Sequence, residues 1–147
     1  MKTIIALSNN GNTGKTETLR ILAQMLIEKY PELQNLDKKQ EKIPSEGDFR
    51  FVVQINSQKI GIESEGNPDS LLKERLGDLT QLGCNIIFCT SRTRGETVKT
   101  IEKIGNDNDF QIIWTSTYQT QNTQQYTSVN RLKAEHLWDL VQQIHSI

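Results

Sequence analysis

Runs of consecutive apolar residues alternate along the chain with stretches in which apolar residues recur every three or four positions. Lys2 to Ser8 carries Ile4, Ile5, Ala6 and Leu7 without a break, the pattern of a parallel strand covered on both faces. From Glu17 to Tyr30, Leu19, Leu22, Ala23, Leu26 and Tyr30 share one helical face, widened by Ile21, Met25 and Ile27, and Pro31 ends the helix. Glu32 to Asp48 is charged, broken by Pro44 and Gly47, and reads as a mobile loop. Phe49 to Ile55 and Lys59 to Glu63 are strand-like runs whose spacer, Asn56-Ser57-Gln58, is short enough for a hairpin. Asn67 before Pro68 opens a helix with a Leu72, Leu76 and Leu79 face that ends at Gly83. Asn85 to Ser91 is another continuous apolar strand. Gly95 to Ile104 is a short helix closed by Gly105, residues 106–109 form a turn, and Phe110 to Thr115 is the last strand. A loop rich in Gln, Thr and Asn, Tyr118 to Ser128, leads to a final helix from about Val129 to Ile144. Leu137, Leu140, Val141 and Ile144 form its core face, with Trp138 off centre and partly packed.

This alternation predicts an α/β fold: a mostly parallel sheet with one β-hairpin and helices on both faces. The chain of 147 residues forms one domain (1–147), long enough to bury about two-thirds of its unfolded surface without disulfides or metals. Seventeen basic and eighteen acidic residues leave a net charge of -1, so no global field recruits nucleic acid or an anionic membrane. No apolar run approaches the length of a membrane span, and the N-terminal one is too short for a signal peptide. Cys84 and Cys89, assigned to one strand, are expected on opposite faces and reduced, which points to the cytoplasm. His136 and His145 lack carboxylate partners at ligand spacing and read as packing or surface residues, and no serine sits in a nucleophile elbow.

The densest chemistry lies between the first strand and its helix, where Ser8 to Thr16 reads Ser-Asn-Asn-Gly-Asn-Thr-Gly-Lys-Thr. A Gly-rich turn that leaves a buried strand and opens a helix aims backbone N–H groups and the positive helix end at one point, a phosphate cradle. Lys15 adds a full charge, and the Thr16 hydroxyl is suited to ligate Mg2+. The stretch resembles the Walker A motif of P-loop nucleoside triphosphatases, with Gly14, Lys15 and Thr16 matching and Asn9 standing where that family has its first Gly. Asn tolerates positive φ, so Asn9 is expected to stand in for that Gly through its backbone. Asn10 occupies the position of the signature Lys of partitioning-type ATPases, which sets the chain apart from that subgroup. The resemblance implies a three-layer P-loop fold, and a cradle made of Asn9, Asn10, Gly11, Asn12, Thr13, Gly14, Lys15 and Thr16.

A P-loop needs a second group, a carboxylate at a strand end that serves the metal or orients water. Glu63 is the candidate, with Glu65 next. Glu63-Ser64-Glu65-Gly66 resembles the Asp-x-x-Gly of GTPase-like P-loop proteins, which implies a metal role for Glu63 and a phosphate contact for Gly66. The plainer alternative is two acids that cap a strand near Lys59. After the fourth strand, Arg92 and Arg94 precede a helix whose positive end disfavours them unless an anion is bound, so either is placed to stabilise a transferring phosphoryl group. Solvated loop arginines are the alternative. Thr90-Ser91-Arg92-Thr93 lacks the Lys and Asp of the guanine-reading segment, which favours ATP over GTP. Three activities remain open on these residues: a Mg2+-dependent ATPase, a small-molecule or nucleotide kinase with a bound acceptor, and a nucleotide-sensing module that switches a protein partner.

Overall fold

The uninterrupted apolar run near the start of the chain becomes a central strand, β1 (Lys2–Ser8), in which Ile4, Ile5, Ala6 and Leu7 are fully buried. The computed structural model describes residues 1–9, 14–37, 42–65 and 71–147. The other strands are β2 (Arg50–Ile55), β3 (Gln58–Glu63), β4 (Ile86–Ser91) and β5 (Phe110–Thr115). The helices are α1 (Lys15–Lys29), α2 (Leu72–Gln81), α3 (Glu96–Asp107) and α4 (Tyr126–His145), the last preceded by a 3-10 turn at Thr123–Gln125. The fold is α/β with a five-stranded, mostly parallel sheet in the order β2-β3-β4-β1-β5. Only the hairpin partner β2 runs antiparallel.

Side chains of β1 alternate between two cores, as the two-residue strand period requires. Ile5 and Leu7 join Leu19, Leu22 and Leu26 of α1 and Leu137, Trp138 and Val141 of α4. Ile4 and Ala6 join Leu72, Leu76 and Leu79 of α2 and Ile101 of α3 on the other side. At Gly61 in β3, an added Cβ would lie 2.9 Å from Leu79 Cδ2 and 3.1 Å from Cys84 Sγ, so the missing side chain is what lets α2 approach the sheet. Gly61→Val is expected to destabilise the protein by about 1–3 kcal/mol through overpacking. A urea midpoint unchanged from wild type would refute that close approach.

Several local expectations are corrected. Helix α1 starts at Lys15, two residues before Glu17, so Lys15 and Thr16 occupy its first turn. Leu71 is non-helical and α2 begins at Leu72, while the Asn67-Pro68 start expected from the sequence lies outside the described residues. Helix α3 runs through Gly105 to Asp107, and Gly105 is a packing contact with β5 rather than a terminator: a Cβ there would meet Ile112 Cδ1 at 2.7 Å. Helix α4 begins at Tyr126, ahead of Val129. Trp138 is buried, 3% exposed, and meets the Tyr30 ring edge-on at 6.3 Å, so it belongs to the core and not to its rim. Cys84 precedes β4, so strand alternation does not govern it, and both cysteines share the core on the α2 and α3 side. Both are free thiols, pushed up to about 11 for Cys84 and about 12 for Cys89, in each case chiefly by burial. No helix among the described residues is long and apolar enough to cross a membrane.

The described parts of the Glu32 to Asp48 segment are fastened at both ends, where a mobile loop was expected. Leu36 N–H donates to Val52 O at 2.7 Å, and Asn35 Oδ1 accepts the Val52 N–H at 2.9 Å, so this stretch covers the outer edge of β2. The other end is held by α1, as described below.

Candidate functional site

β1 and β4 run side by side and end together, with Ser8 opposite Ser91. At that edge Lys15 reaches back from the first turn of α1, and its Nζ donates to Asn9 O at 2.9 Å and Ser91 O at 2.8 Å. Two carbonyls from two neighbouring strand ends thus fix the ammonium at the carboxyl edge of the sheet, where ligands of open parallel sheets bind. Burial, and secondarily the charge of Arg92, hold Lys15 below its ordinary value of 10.5. The Lys15 ammonium therefore sits at a helix N-terminus and feels the charge of Arg92, an arrangement that an anion would relieve.

Gly14 caps α1 with φ 83°, and its carbonyl accepts the first helical bond, from Thr18 N–H at 2.8 Å. A Cβ on Gly14 would come within 2.9 Å of Asn130 Oδ1, so both the left-handed backbone and the proximity of α4 demand glycine. Asn130 Oδ1 in turn accepts from Thr18 Oγ1 at 3.4 Å, which ties the start of α1 to α4.

Asn9 does not substitute for a glycine through its backbone. Among the described residues, left-handed non-glycine conformations occur at Asn56, Asp109 and Ser146, not at Asn9. Its side chain acts instead: Oδ1 accepts the Thr117 N–H at 3.0 Å and binds the segment after β5 to the end of β1. Asn10, Gly11, Asn12 and Thr13 of the expected cradle, and Gly66, lie outside the described residues.

Glu63 is not brought to Lys15. It aligns with Cys89 and Ala6, two strands from β1 and so roughly 10 Å across the sheet. Its side chain points to the α2 face, where Oε1 pairs with Arg75 Nη1 at 3.0 Å and Oε2 with Arg50 Nε at 3.4 Å. The carboxylate is fully buried, and burial raises its pKa more than the two arginines lower it. Glu65 pairs with the same Arg75 at 2.8 Å. Both acids of the predicted motif therefore belong to an ion cluster between β3 and α2.

The residue missed by sequence reading is Asp48. Its Oδ1 accepts hydrogen bonds from Thr16 Oγ1 at 3.3 Å and Ser64 Oγ at 3.0 Å. Ser64 follows Glu63, so the alternation that turns Glu63 to α2 brings Ser64 to the α1 side with Ile60 and Ile62. Thr90 Oγ1 donates to Ser64 O at 2.8 Å and secures the end of β3 to β4. Hydroxyl and carboxylate oxygens are the hard donors that suit Mg2+, which usually takes one or two carboxylates and fills its remaining positions with phosphates and water. Among the described residues, no group of three or more His, Cys, Asp or Glu side chains gathers into a protein cage for a metal.

Arg92 and Arg94 are exposed on the turn between β4 and α3. Arg92 N–H donates to Thr97 Oγ1 at 3.2 Å and its carbonyl accepts from Ser8 Oγ at 3.0 Å, which holds the backbone of Arg92 beside the end of β1. His136 pairs with Tyr118 Oη at 2.6 Å, and His145 pairs with Thr3 Oγ1 at 2.9 Å near the start of β1. No family model matches the sequence, and neither a curated protein nor a solved structure matches it significantly.

Proposed function

We propose that the chain is a Mg2+-dependent nucleotide-binding domain of the P-loop type, with helices on both faces of the sheet as a three-layer arrangement, that hydrolyses ATP. The observation that carries this reading is the setting of Lys15: its ammonium is pinned by Asn9 O and Ser91 O beside the N-terminus of α1, with Gly14 left-handed below it and Arg92 next to it. In this reading Lys15 and the backbone amides that precede it take the phosphates, and Thr16 offers its hydroxyl to the metal. Bound Mg2+ would neutralise phosphate oxygens. Arg92, whose charge acts on Lys15, supports charge on the transferring group, with Arg94 further along the same turn. ATP is favoured over GTP because the turn after β4 lacks the Lys and Asp that read guanine.

Phosphoryl transfer to an acceptor is the second reading, favoured by a polar cleft of 450 Å³ that borders Asp48. Arg50 and Arg75 lie at this cleft with Asp37, Glu74 and Asp78 around them, an environment for a polar acceptor beside the phosphate end of the nucleotide. Tight nucleotide binding with no phosphate release would instead favour a sensing module that switches a protein partner.

Calorimetric titration with ATP and with GTP in Mg2+ tests the proposal. Saturable binding with ATP tighter than GTP is the expected result, followed by phosphate release with water as the only acceptor. Release that rises severalfold with a panel of hydroxyl or amine acceptors would shift the assignment to a kinase. Binding of neither nucleotide would overturn it.

A further inference from the structure

We infer that Asp48, clamped in place by the buried Arg20, supplies the carboxylate charge of a divalent-cation site at Thr16. This rests on the nucleotide-binding reading and goes beyond it, because no sequence motif points to either residue.

Three oxygens converge at this point, Thr16 Oγ1, Ser64 Oγ and the Asp48 Oδ1 that accepts from both. A threonine hydroxyl that ligates a cation through a lone pair keeps its proton, and Asp48 is already placed to receive that hydrogen bond. Asp48 is exposed, so its carboxylate has room for coordinated water or phosphate oxygen on its open side. Glu63, by contrast, spends both carboxylate oxygens on Arg50 and Arg75.

Arg20 explains why an exposed loop carboxylate stays at Thr16. It lies on α1 only one helical turn beyond Thr16, yet it is 3% exposed. Its Nε donates to Pro44 O at 2.8 Å, and its terminal nitrogens reach Gly47 O and the Glu17 carboxylate. The guanidinium also lies 5.6 Å from the centre of the Phe49 ring. Phe49 N–H donates to Ser64 Oγ at 2.8 Å, and Ser64 N–H returns to Phe49 O at 3.2 Å. The backbone is therefore held on both sides of Asp48, before it by Arg20 and after it by Ser64. Since Arg20, Lys15 and Thr16 ride on one helix, the phosphate and cation halves of the site keep a fixed relation. Arg20 is a positioning residue: it touches the strap that carries Asp48, not the nucleotide.

The test compares affinity for a non-hydrolysable ATP analogue, by calorimetry, in Mg2+ and in EDTA. Asp48→Asn is expected to weaken binding in Mg2+ roughly 10- to 100-fold while affinity in EDTA stays within about threefold of wild type. Mn2+ binding in the presence of the analogue, read by electron paramagnetic resonance, should weaken in parallel. Arg20→Met should lower the Mg2+-dependent gain, and Arg20→Lys should restore part of it, since an ammonium keeps the charge but lacks the planar fork whose separate nitrogens reach Pro44 O and Gly47 O. Glu63→Gln should keep the full gain. A full Mg2+ gain in Asp48→Asn, or its loss in Glu63→Gln, overturns the assignment of the carboxylate while nucleotide binding stands. Equal losses in Mg2+ and EDTA for Arg20→Met and Arg20→Lys alike would reduce Arg20 to a structural role. If wild type binds the analogue in neither buffer, the nucleotide reading and the cation site fall together.

Discussion

Lys15→Ala is expected to lose about 2–4 kcal/mol of triphosphate binding, roughly 30- to 700-fold, with the fold preserved. The size follows from the role of a charge-assisted donor that is held in place before the ligand arrives. In wild type, Asn9 O and Ser91 O fix the ammonium at 2.9 and 2.8 Å, so little side-chain freedom remains to be lost when phosphate binds. The fold should survive because Lys15 belongs to no hydrophobic cluster and the bonds of Thr18 to Gly14 O and to Asn130 Oδ1 hold the helix start without it. Circular dichroism and thermal unfolding check the fold, and calorimetry reads the affinity. A pH series separates charge from shape. Lys15 sits below 10.5 through burial and the charge of Arg92, so it loses its proton at lower pH than a free lysine does. Wild-type affinity should therefore fall as pH rises through that lowered value, and bound phosphate should oppose the loss by raising it again. Lys15→Ala should show no such fall. An affinity within threefold of wild type would remove Lys15 from the site and with it the main support for a phosphate cradle.

Most of the fold was legible because hydrophobic period reports on packing directly. The unbroken run at Ile4 to Leu7 can be satisfied only between two apolar layers, and it is the strand with helices on both sides. The order of strands was not legible, because it is set by pairings distant in sequence. That order decides which residues come to Lys15: β4, not β3, flanks β1, so Ser91 and Arg92 lie at the site and Glu63 does not. Glu63 was singled out for its place at a strand end, yet its face was set by parity with Gly61, which looks toward α2. Ser64 has the parity of Ile60 and Ile62 and therefore reaches the α1 side. Asp48 carried no local signal, since it sits in a charged segment and acquires its partners only when β2 and β3 pair. Arg20 did carry one. A guanidinium within the buried stripe of Leu19, Leu22 and Ala23 must find acceptors, and it finds them in the strap before β2. Trp138 and Cys84 show the same limit on a smaller scale: a helical wheel does not contain Tyr30, and Cys84 sits two residues before β4, where strand alternation no longer holds.

Glu63→Ala should destabilise the protein by about 3–5 kcal/mol, the cost of breaking a buried ion pair from one side. Arg50 has a side chain 11% exposed and would lose the fully buried carboxylate beside it, and Arg75 Nε is already a buried atom without a partner among the described residues. A melting temperature lower by roughly 10 °C or more is the expected reading. Glu63→Gln should behave differently. Burial raises the Glu63 pKa above its ordinary value of 4.5 despite Arg50 and Arg75, so ionisation is harder in the folded chain than in the unfolded one. The folded state then binds the proton more tightly, and the contribution of Glu63 is fully present below 4.5 and declines as pH rises through the raised value. A neutral amide that still accepts from Arg75 keeps a hydrogen bond but not the charge, so Glu63→Gln should cost clearly less than Glu63→Ala and lack that decline. Urea unfolding of the wild type and both variants between pH 4 and 8 checks the pair of outcomes. If Glu63→Gln is as damaging as Glu63→Ala at neutral pH, the ionised carboxylate is what the two arginines require, and the cluster is held together by charge rather than by hydrogen bonds alone.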